Sequence, residues 1–333
     1  MLPTSSPSPG SSRHPSGDES GSLAELGEFG LIARVTAGRS QPAGTLLGPG
    51  DDAAVVAAPD GRVVACTDVL VDRVHFRLDW SAPEQVGRKA AAANLADVAA
   101  MGAVPTALLV GLACPPDTPV TTLTGLADGL WAEAAAVGAG LVGGDVAASA
   151  TLTIAVTALG SLAGRAPVTR GGARPGDVLG LAGRVGWAAA GLAVLGRGFR
   201  SPVAVVGAHR VPEPPYAAGP AAAVAGATAM IDVSDGLLAD LGHVARASGV
   251  VLDVRTDALA VPQRLVEVGA ALGVDPMRWL LTGGEDHALA ATFPPDAALP
   301  PGWTVVGSVR AGEPAVLVDG RPDEGGPGGW AHF

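Results

Sequence analysis

Lysine is almost missing from this chain: Lys89 is the one lysine among 333 residues, and every other basic residue is an arginine. Tyrosine occurs once, aromatics make up 4% and charged residues 16%, with a formal net charge of −11. There is no basic run and no interleaving of basic with aromatic residues, so the basic face of a nucleic-acid binder is lacking. An acidic protein that handles an anionic ligand needs metal cations to mediate. Cysteine is also scarce. Cys66 and Cys114 stand alone, without a CxxC pair or a disulfide framework, which fits a reducing cytosol and a cytoplasmic protein. No run has the roughly 20 strongly apolar residues that a membrane span needs. The apolar stretch 98–114 is rich in alanine and glycine and contains Pro105, so it reads as a helix end followed by a buried strand.

Several chemical signatures are absent as well. Lys89 is followed by alanine, which excludes the Walker A loop. The protein-kinase signature set, H-E-x-x-H and G-x-S-x-G are missing. GPGDDA at 48–53 lacks the third glycine and the helix of a dinucleotide fingerprint.

What is present is 48% hydrophobic residues, mostly small, over a length that suggests two domains. Residues 1–22 are rich in Ser, Pro and Gly and read as a disordered tail with no secretory signal. A short helix is expected at 27–38. A hairpin is expected over 53–71, around the Pro59-Asp60-Gly61 turn. The clearest helix is 81–103, with Ser81 and Glu84 as a capping box and Gly102 just past its end. Asn94 and Asp97 share a face of it. Further strands are expected at 106–116, 141–149 and 151–162, and a helix at 120–138. Residues 164–179 read as a boundary, 183–198 as helical, and 199–220 as Pro-rich and irregular. Residues 230–254 read as strand–turn–helix–strand, with Asp235 able to cap the helix, and 279–293 as a Gly-Gly turn entering a strand. Alternating strands and helices in both halves indicate α/β or α+β domains.

The notable feature is a set of carboxylates next to apolar runs and glycine pairs. They are Asp51–Asp52, Asp68 after Thr67, Asp97, Asp145 after Gly143–Gly144, Asp232 and Asp235 around Ser234, and Glu285–Asp286 after Gly283–Gly284. Each has a plain structural reading: a turn for Asp51–Asp52 and for Glu285–Asp286, an N-cap for Asp235, a partner for Lys89 in the case of Asp97. Taken together, converging carboxylates cannot all ionise without cations. Mg²⁺ binds through one or two carboxylates plus substrate phosphates, and the glycines suit backbone amides that approach phosphate oxygens. The residue types point to a phosphate-and-Mg²⁺ enzyme with a non-Walker nucleotide site.

The motifs GPGDDAAVV, CTDVLVDRVHF, KAAAANLADVAAMGA, LVGGDV, TRGGARPGD, IDVSDGLLADLGHVA, LTGGEDH and the terminal GWAHF occur in that order. In this the chain, from about Gly27 to Phe333, resembles the thiamine-monophosphate kinases, within the wider aminoimidazole-ribonucleotide synthetase-like superfamily. The resemblance implies a two-domain fold: 23–163 as an N-terminal ATP- and Mg-binding domain whose sheet pairs in a homodimer, and 164–333 as a C-terminal α/β domain that completes the site. It implies ATP-dependent phosphorylation of thiamine monophosphate to thiamine diphosphate. By motif it assigns Asp52, Thr67, Asp68, Asp97, Asp145, Asp232 and Asp235 to several Mg²⁺ ions. Gly144, Asp145, Arg170 and Ser234 are assigned to ATP, and His75, Glu285 and Trp330 to thiamine monophosphate. No general base is expected, because a phosphate acceptor is already ionised near neutral pH. Three positions depart from the family pattern: Cys66 where Ser or Thr is usual, His287 where Tyr is common, and Ala331 in place of a frequent Asp. The alternative is a sister enzyme in which ATP activates an amide or carbonyl oxygen; His75 and Trp330 argue against it.

Overall fold

The structure is a computed structural model and describes residues 21–49 and 53–323. Asp51, Asp52 and Trp330 lie outside the described residues, as do residues 1–20 of the expected tail.

Two sheets organise the chain. The first has four strands in the order Val64–Val71, Thr153–Ser161, Val104–Cys114, Gly140–Ala148. Its first three strands pair antiparallel, and the last pair is parallel. Helices Pro83–Ala100 and Val120–Ala136 cover one face. Their mutual approach depends on two glycines. A Cβ at Gly87 would overlap the Leu126 carbonyl oxygen, and one at Gly129 would overlap the Glu84 carbonyl oxygen. Only a residue without a side chain lets the backbones meet this closely. The alanine run Ala90–Ala93 and Leu95, Ala96, Val98 and Ala99 are buried around them.

The second sheet has seven strands in the order Arg321–Pro322, Ala315–Val318, Val251–Val254, Trp303–Arg310, Val178–Ala182, Ala288–Phe293, Ala229–Val233. The pair between Ala315–Val318 and Val251–Val254 is parallel and the others are antiparallel. Helices Trp187–Gly196, Leu237–Ser248, Gln263–Leu272 and Pro276–Thr282 contribute buried residues to the same core. Leu237, Leu241, Val244 and Ala245 form the buried stripe of Leu237–Ser248, the spacing of an amphipathic helix. Among the described residues, no helix is long and apolar enough to cross a membrane.

Several local expectations are corrected. The 53–71 hairpin does not form: Val55–Val56 pairs with Thr45–Leu47, and Val64–Val71 pairs over eight residues with Thr153–Ser161. The turn at Gly61, φ 72°, is there, but the long antiparallel partner offers more ladder than the two-residue strand. Thr67–Asp68 lies inside Val64–Val71, and Asp145 inside Gly140–Ala148. Gly143–Gly144 is extended, inside the strand expected at 141–149. A Cβ at Gly144 would overlap the Val110 carbonyl oxygen, so the glycine serves close strand approach. The helix 81–103 begins at Pro83 with Ala82 as its N-cap, and Gln85 Oε1 accepts from the Ala82 N–H at 3.0 Å. Pro83 suits the first helical position, which displaces the expected Ser81–Glu84 box by one residue. The stretch 199–220 contains helix Val203–Arg210 and most of the first turn of Ala218–Val224.

Candidate active site

One cavity of about 720 Å³ lies where the two sheets' elements meet. Thr67, Asp68, His75 and Asp97 line it from the N-terminal half, and Arg170, Asp232, Ser234, Asp235 and Glu285 from the C-terminal half. Gly144 and Asp145 are not in it. They line a second, largely apolar cavity of about 990 Å³ beside Val110, Leu126 and Thr157.

The acidic centre of the first cavity is built from three elements. Asp68 comes from a strand, Asp97 from the helix packed on that strand, and Asp232 from the edge strand Ala229–Val233 of the other sheet. Asn94, fully buried one turn before Asp97, accepts from the Asp68 N–H at 3.0 Å and donates to the Ala90 carbonyl. Burial, followed by the charges of Asp232 and Asp68, pushes the Asp97 carboxyl up to about 8. Burial also raises the Asp68 carboxyl, with His287 opposing and Asp232 adding to the rise. These are the signs of carboxylates held together without enough positive charge. An all-oxygen donor set of this kind fits a hard divalent cation. Among the described residues no three His, Cys, Asp or Glu side chains form a metal cage by themselves, so phosphate oxygens would have to complete the shell.

Strand alternation turns Thr67 and Asp68 to opposite faces of the sheet. The Thr67 hydroxyl donates to the Val156 carbonyl at 3.0 Å and accepts from Thr157 Oγ1 at 3.1 Å. Cys66 faces the helix, its Sγ 3.3 Å from the Asn94 carbonyl oxygen. Burial and the charge of Asp97 push its thiol up, so Cys66 stays a neutral thiol and a poor Mg²⁺ ligand.

Asp235 does not cap its helix. Gly236 is the N-cap, and Asp240, buried in the first turn, accepts from the N–H groups of Asp235 and Gly236, both at 3.0 Å. A carboxylate one turn in holds the Ser234–Gly236 loop from inside the helix, which leaves the Asp235 side chain to the cavity. The Ser234 carbonyl accepts from the Glu285 N–H at 2.7 Å. Glu285 and His287 both have left-handed backbones, φ 67° and 52°, a conformation that non-glycine residues adopt at a cost.

The residue types in this turn are separated by role. Asp286 turns inward, and its Oδ1 accepts from the Ala188 N–H at 2.9 Å at the start of helix Trp187–Gly196. His287 Nδ1 lies 3.1 Å from Asp232 Oδ2. Burial pushes the imidazole down, but the hydrogen bond and charge of Asp232 outweigh it and raise it overall. The tyrosine-to-histidine departure thus places a proton-holding ring against a candidate metal ligand. His75 Nδ1 accepts from the Val71 N–H at 3.1 Å, which assigns its ring proton to Nε2 in the neutral form.

Lys89 does not pair with Asp97. Its Nζ donates to Glu285 Oε1 at 2.9 Å and to the His75 carbonyl at 3.1 Å. His209 lies on the far side of Glu285, and Trp80 meets the His209 ring edge-on at 6.4 Å between centroids. Lys89 and Asp240 lie inside quoted motifs but had no site role assigned to them, and Trp80 and His209 lie in no quoted motif. The signal for Lys89 was its uniqueness within an apolar alanine stripe. His209 was hidden in a stretch read as irregular.

Residues 50–162 match the family model described as AIR synthase related protein, N-terminal domain. The chain is 51% identical over 321 residues to the thiamine-monophosphate kinase of Mycobacterium tuberculosis strain H37Rv, covering 96% of each sequence. It is 43% identical to that of Corynebacterium glutamicum, covering 93% of this chain and 95% of the relative. The fold superposes on a solved structure of AaThiL complexed with AMPPCP and TMP, with a TM-score of 0.77 at 34% identity over 93% of this chain and 98% of that one. The two halves, their acidic cavity and this near full-length identity agree: the chain belongs to the thiamine-monophosphate kinase family.

Proposed function

We infer that the protein transfers the γ-phosphoryl group of ATP to thiamine monophosphate, giving ADP and thiamine diphosphate. The observation that carries this reading is the joining of nine motif residues from both halves of the chain around one cavity, in a chain 51% identical to a thiamine-monophosphate kinase.

The acceptor is a phosphate, already ionised, so no side chain need remove a proton. The work left to the protein is in-line positioning and charge neutralisation. Asp68, Asp97, Asp232 and Asp235 would hold Mg²⁺ ions, with Asp52 and Asp145 as further carboxylates of the set and Thr67 at their border. Bound there, Mg²⁺ would neutralise phosphate oxygens and stabilise charge in the transition state. Arg170, exposed in the cavity lining, would supply a guanidinium for a phosphate group, and Ser234 a hydroxyl from the same lining. His75 would contribute its imidazole, and Glu285 a carboxylate acceptor, to the binding of thiamine monophosphate. Trp330 is assigned to stack on the thiazolium.

A homodimer belongs to the same reading. Asp145 sits on the edge strand Gly140–Ala148, three strand spacings, about 14 Å, from Val64–Val71 at the other edge. Among the described residues, the face of the sheet away from the helices is open, with Val69 48% exposed. A second copy laid on that face would cover it and bring one chain's Asp145 edge toward the other's Asp68 edge. Division of the chain at 163/164 into two domains, and a cytoplasmic location, complete the reading.

The test is ADP release with ATP, Mg²⁺ and thiamine monophosphate, the product identified by chromatography and free thiamine run as a control. Stoichiometric thiamine diphosphate from the monophosphate alone is expected. ATP binding without turnover of thiamine monophosphate would refute the assigned substrate, and a monomer in sedimentation with full activity would refute the dimer.

A further inference from the structure

The one lysine of the chain stands at the centre of a group that the phosphate chemistry does not use. Lys89 is 5% exposed. Its ammonium bridges a carboxylate from the C-terminal half and a backbone carbonyl from the N-terminal half, Glu285 Oε1 at 2.9 Å and His75 O at 3.1 Å. Those two residues are the described ones that the family reading assigns to thiamine monophosphate. The two oxygens of Glu285 are not equivalent. Oε1 is engaged by Lys89. Oε2 lies 3.1 Å from His209 Nδ1; a carboxylate oxygen has two lone pairs, so Oε2 keeps acceptor capacity beside that contact, in a residue that lines the cavity. Burial by itself would raise the Glu285 carboxyl, yet Lys89 and His209 outweigh it and hold it well below the usual range.

The bookkeeping of charge matters here. A carboxylate already paired with a buried ammonium is a poor attractor for a second cation, whereas its unpaired oxygen is still a strong acceptor. Backbone geometry fixes where the Glu285 side chain leaves the turn. Glu285 sits at φ 67° with its N–H on the Ser234 carbonyl, and a Cβ at Gly284 would overlap the same carbonyl oxygen. The turn therefore cannot relax without moving the Ser234 loop.

We propose that Lys89 is a positioning and specificity residue for thiamine monophosphate: it neutralises Glu285, ties it to the His75 loop, and leaves Oε2 to recognise a substrate N–H donor rather than the thiazolium charge. This rests on the reading of the cavity as the thiamine monophosphate site. Lys89 acts on the substrate through Glu285 and His75 and leaves the phosphoryl donor alone.

The single lysine makes the test clean. In wild-type protein grown with lysine labelled at Cε, one side-chain resonance reports on Lys89. Thiamine monophosphate is expected to shift that resonance, and AMPPCP alone to leave it in place. The variants Lys89→Met, Lys89→Arg and Glu285→Gln, and the Lys89→Met/Glu285→Gln double variant, are then assayed. Loss of one charged hydrogen bond predicts a rise of about tenfold or more in KM for thiamine monophosphate in Lys89→Met, with KM for ATP within about twofold of wild type. Lys89→Arg, which keeps the charge, should recover most of the loss. The two substitutions acting on one group should be far from additive. An unmoved lysine resonance at saturating thiamine monophosphate would overturn the proposal, as would equal losses for both substrates or additive effects of the pair. If wild-type protein does not phosphorylate thiamine monophosphate at all, the family reading fails first, which is a different result from an unaffected Lys89 variant in an active enzyme.

Discussion

Gly87→Ala adds one methyl group to a helix, and helix propensity alone predicts a gain of about 1 kcal/mol. The structure predicts the opposite sign. The new Cβ would overlap the Leu126 carbonyl oxygen and approach Leu130 N at 3.0 Å. Both are backbone atoms of helix Val120–Ala136, so no rotamer change relieves the clash. Helix Pro83–Ala100 must move away on the order of 1 Å. Overpacking of this kind costs about 1–3 kcal/mol, and a clash with two backbone atoms lies at the upper end, so after the propensity gain a net loss of up to about 2 kcal/mol remains. For a chain of 333 residues that is a fall of up to about 3 °C in melting temperature. The displaced helix carries Lys89, Asn94 and Asp97, and a misplacement of about 1 Å can cost about 10²-fold in rate. Thermal melts and kcat/KM with both substrates measure the two effects. Gly207→Ala is the control, since nothing lies within 4 Å of its added Cβ in helix Val203–Arg210; it should be neutral or stabilising by up to about 1 kcal/mol. A Gly87→Ala protein as stable and active as wild type would refute the reasoning that backbone contact, not propensity, decides this position.

Three further outcomes are expected. Asp240→Ala removes the acceptor of the Asp235 and Gly236 N–H groups and should lower kcat about 10²-fold through a loosened loop; Asp240→Asn, which keeps an oxygen there, should recover part of it in the same assay. Tyr216→Phe removes the hydroxyl that donates to Glu133 Oε1 at 2.8 Å while Arg88 still holds Oε2 at 2.9 Å, so a loss of about 1.5–3 kcal/mol in denaturant titration is expected with little change in KM. Asp286 is pushed up to about 7 by burial, against the hydrogen bond from Ala188. Its folded form therefore binds a proton more tightly than its unfolded form, and stability falls as pH rises from near 4 to 7. Asp286→Asn should remove that slope and gain, relative to wild type, on the order of 1 to a few kcal/mol at pH 8 but not at pH 4, read from melts at the two values; equal effects at both would refute it.

The legible part of the site was the part written locally. IDVSDGLL gives strand, turn and amphipathic helix from periodicity and glycine alone, and the strand Ala229–Val233 and helix Leu237–Ser248 lie there. Asp68, Asp97, Asp232 and Asp235 could be picked out because a carboxylate beside an apolar run is costly without a cation. The errors came where local signals compete with distant partners. Pro59-Asp60-Gly61 makes its turn, yet a hairpin needs its two arms to prefer each other, and Val64–Val71 finds a longer ladder in Thr153–Ser161. The strand at 141–149 was legible, but not the reason for its glycine pair, where Gly144 lets the strand approach the Val110 carbonyl.

What the sequence by itself determined is the inventory: clustered carboxylates, glycines, no Walker A loop, and a motif order that resembles one kinase family. These follow from residue type and short-range order, which need no fold to be read. Only tertiary structure decided who meets whom. It separated Asp145 from Asp68 by the width of a four-stranded sheet, gave Asp232 to His287, and sent Lys89 across 196 positions of sequence to Glu285. The physical reason is that pairing energy depends on distance and burial in space, and the partners of a buried charge are set by how the two halves pack, a quantity no local pattern encodes.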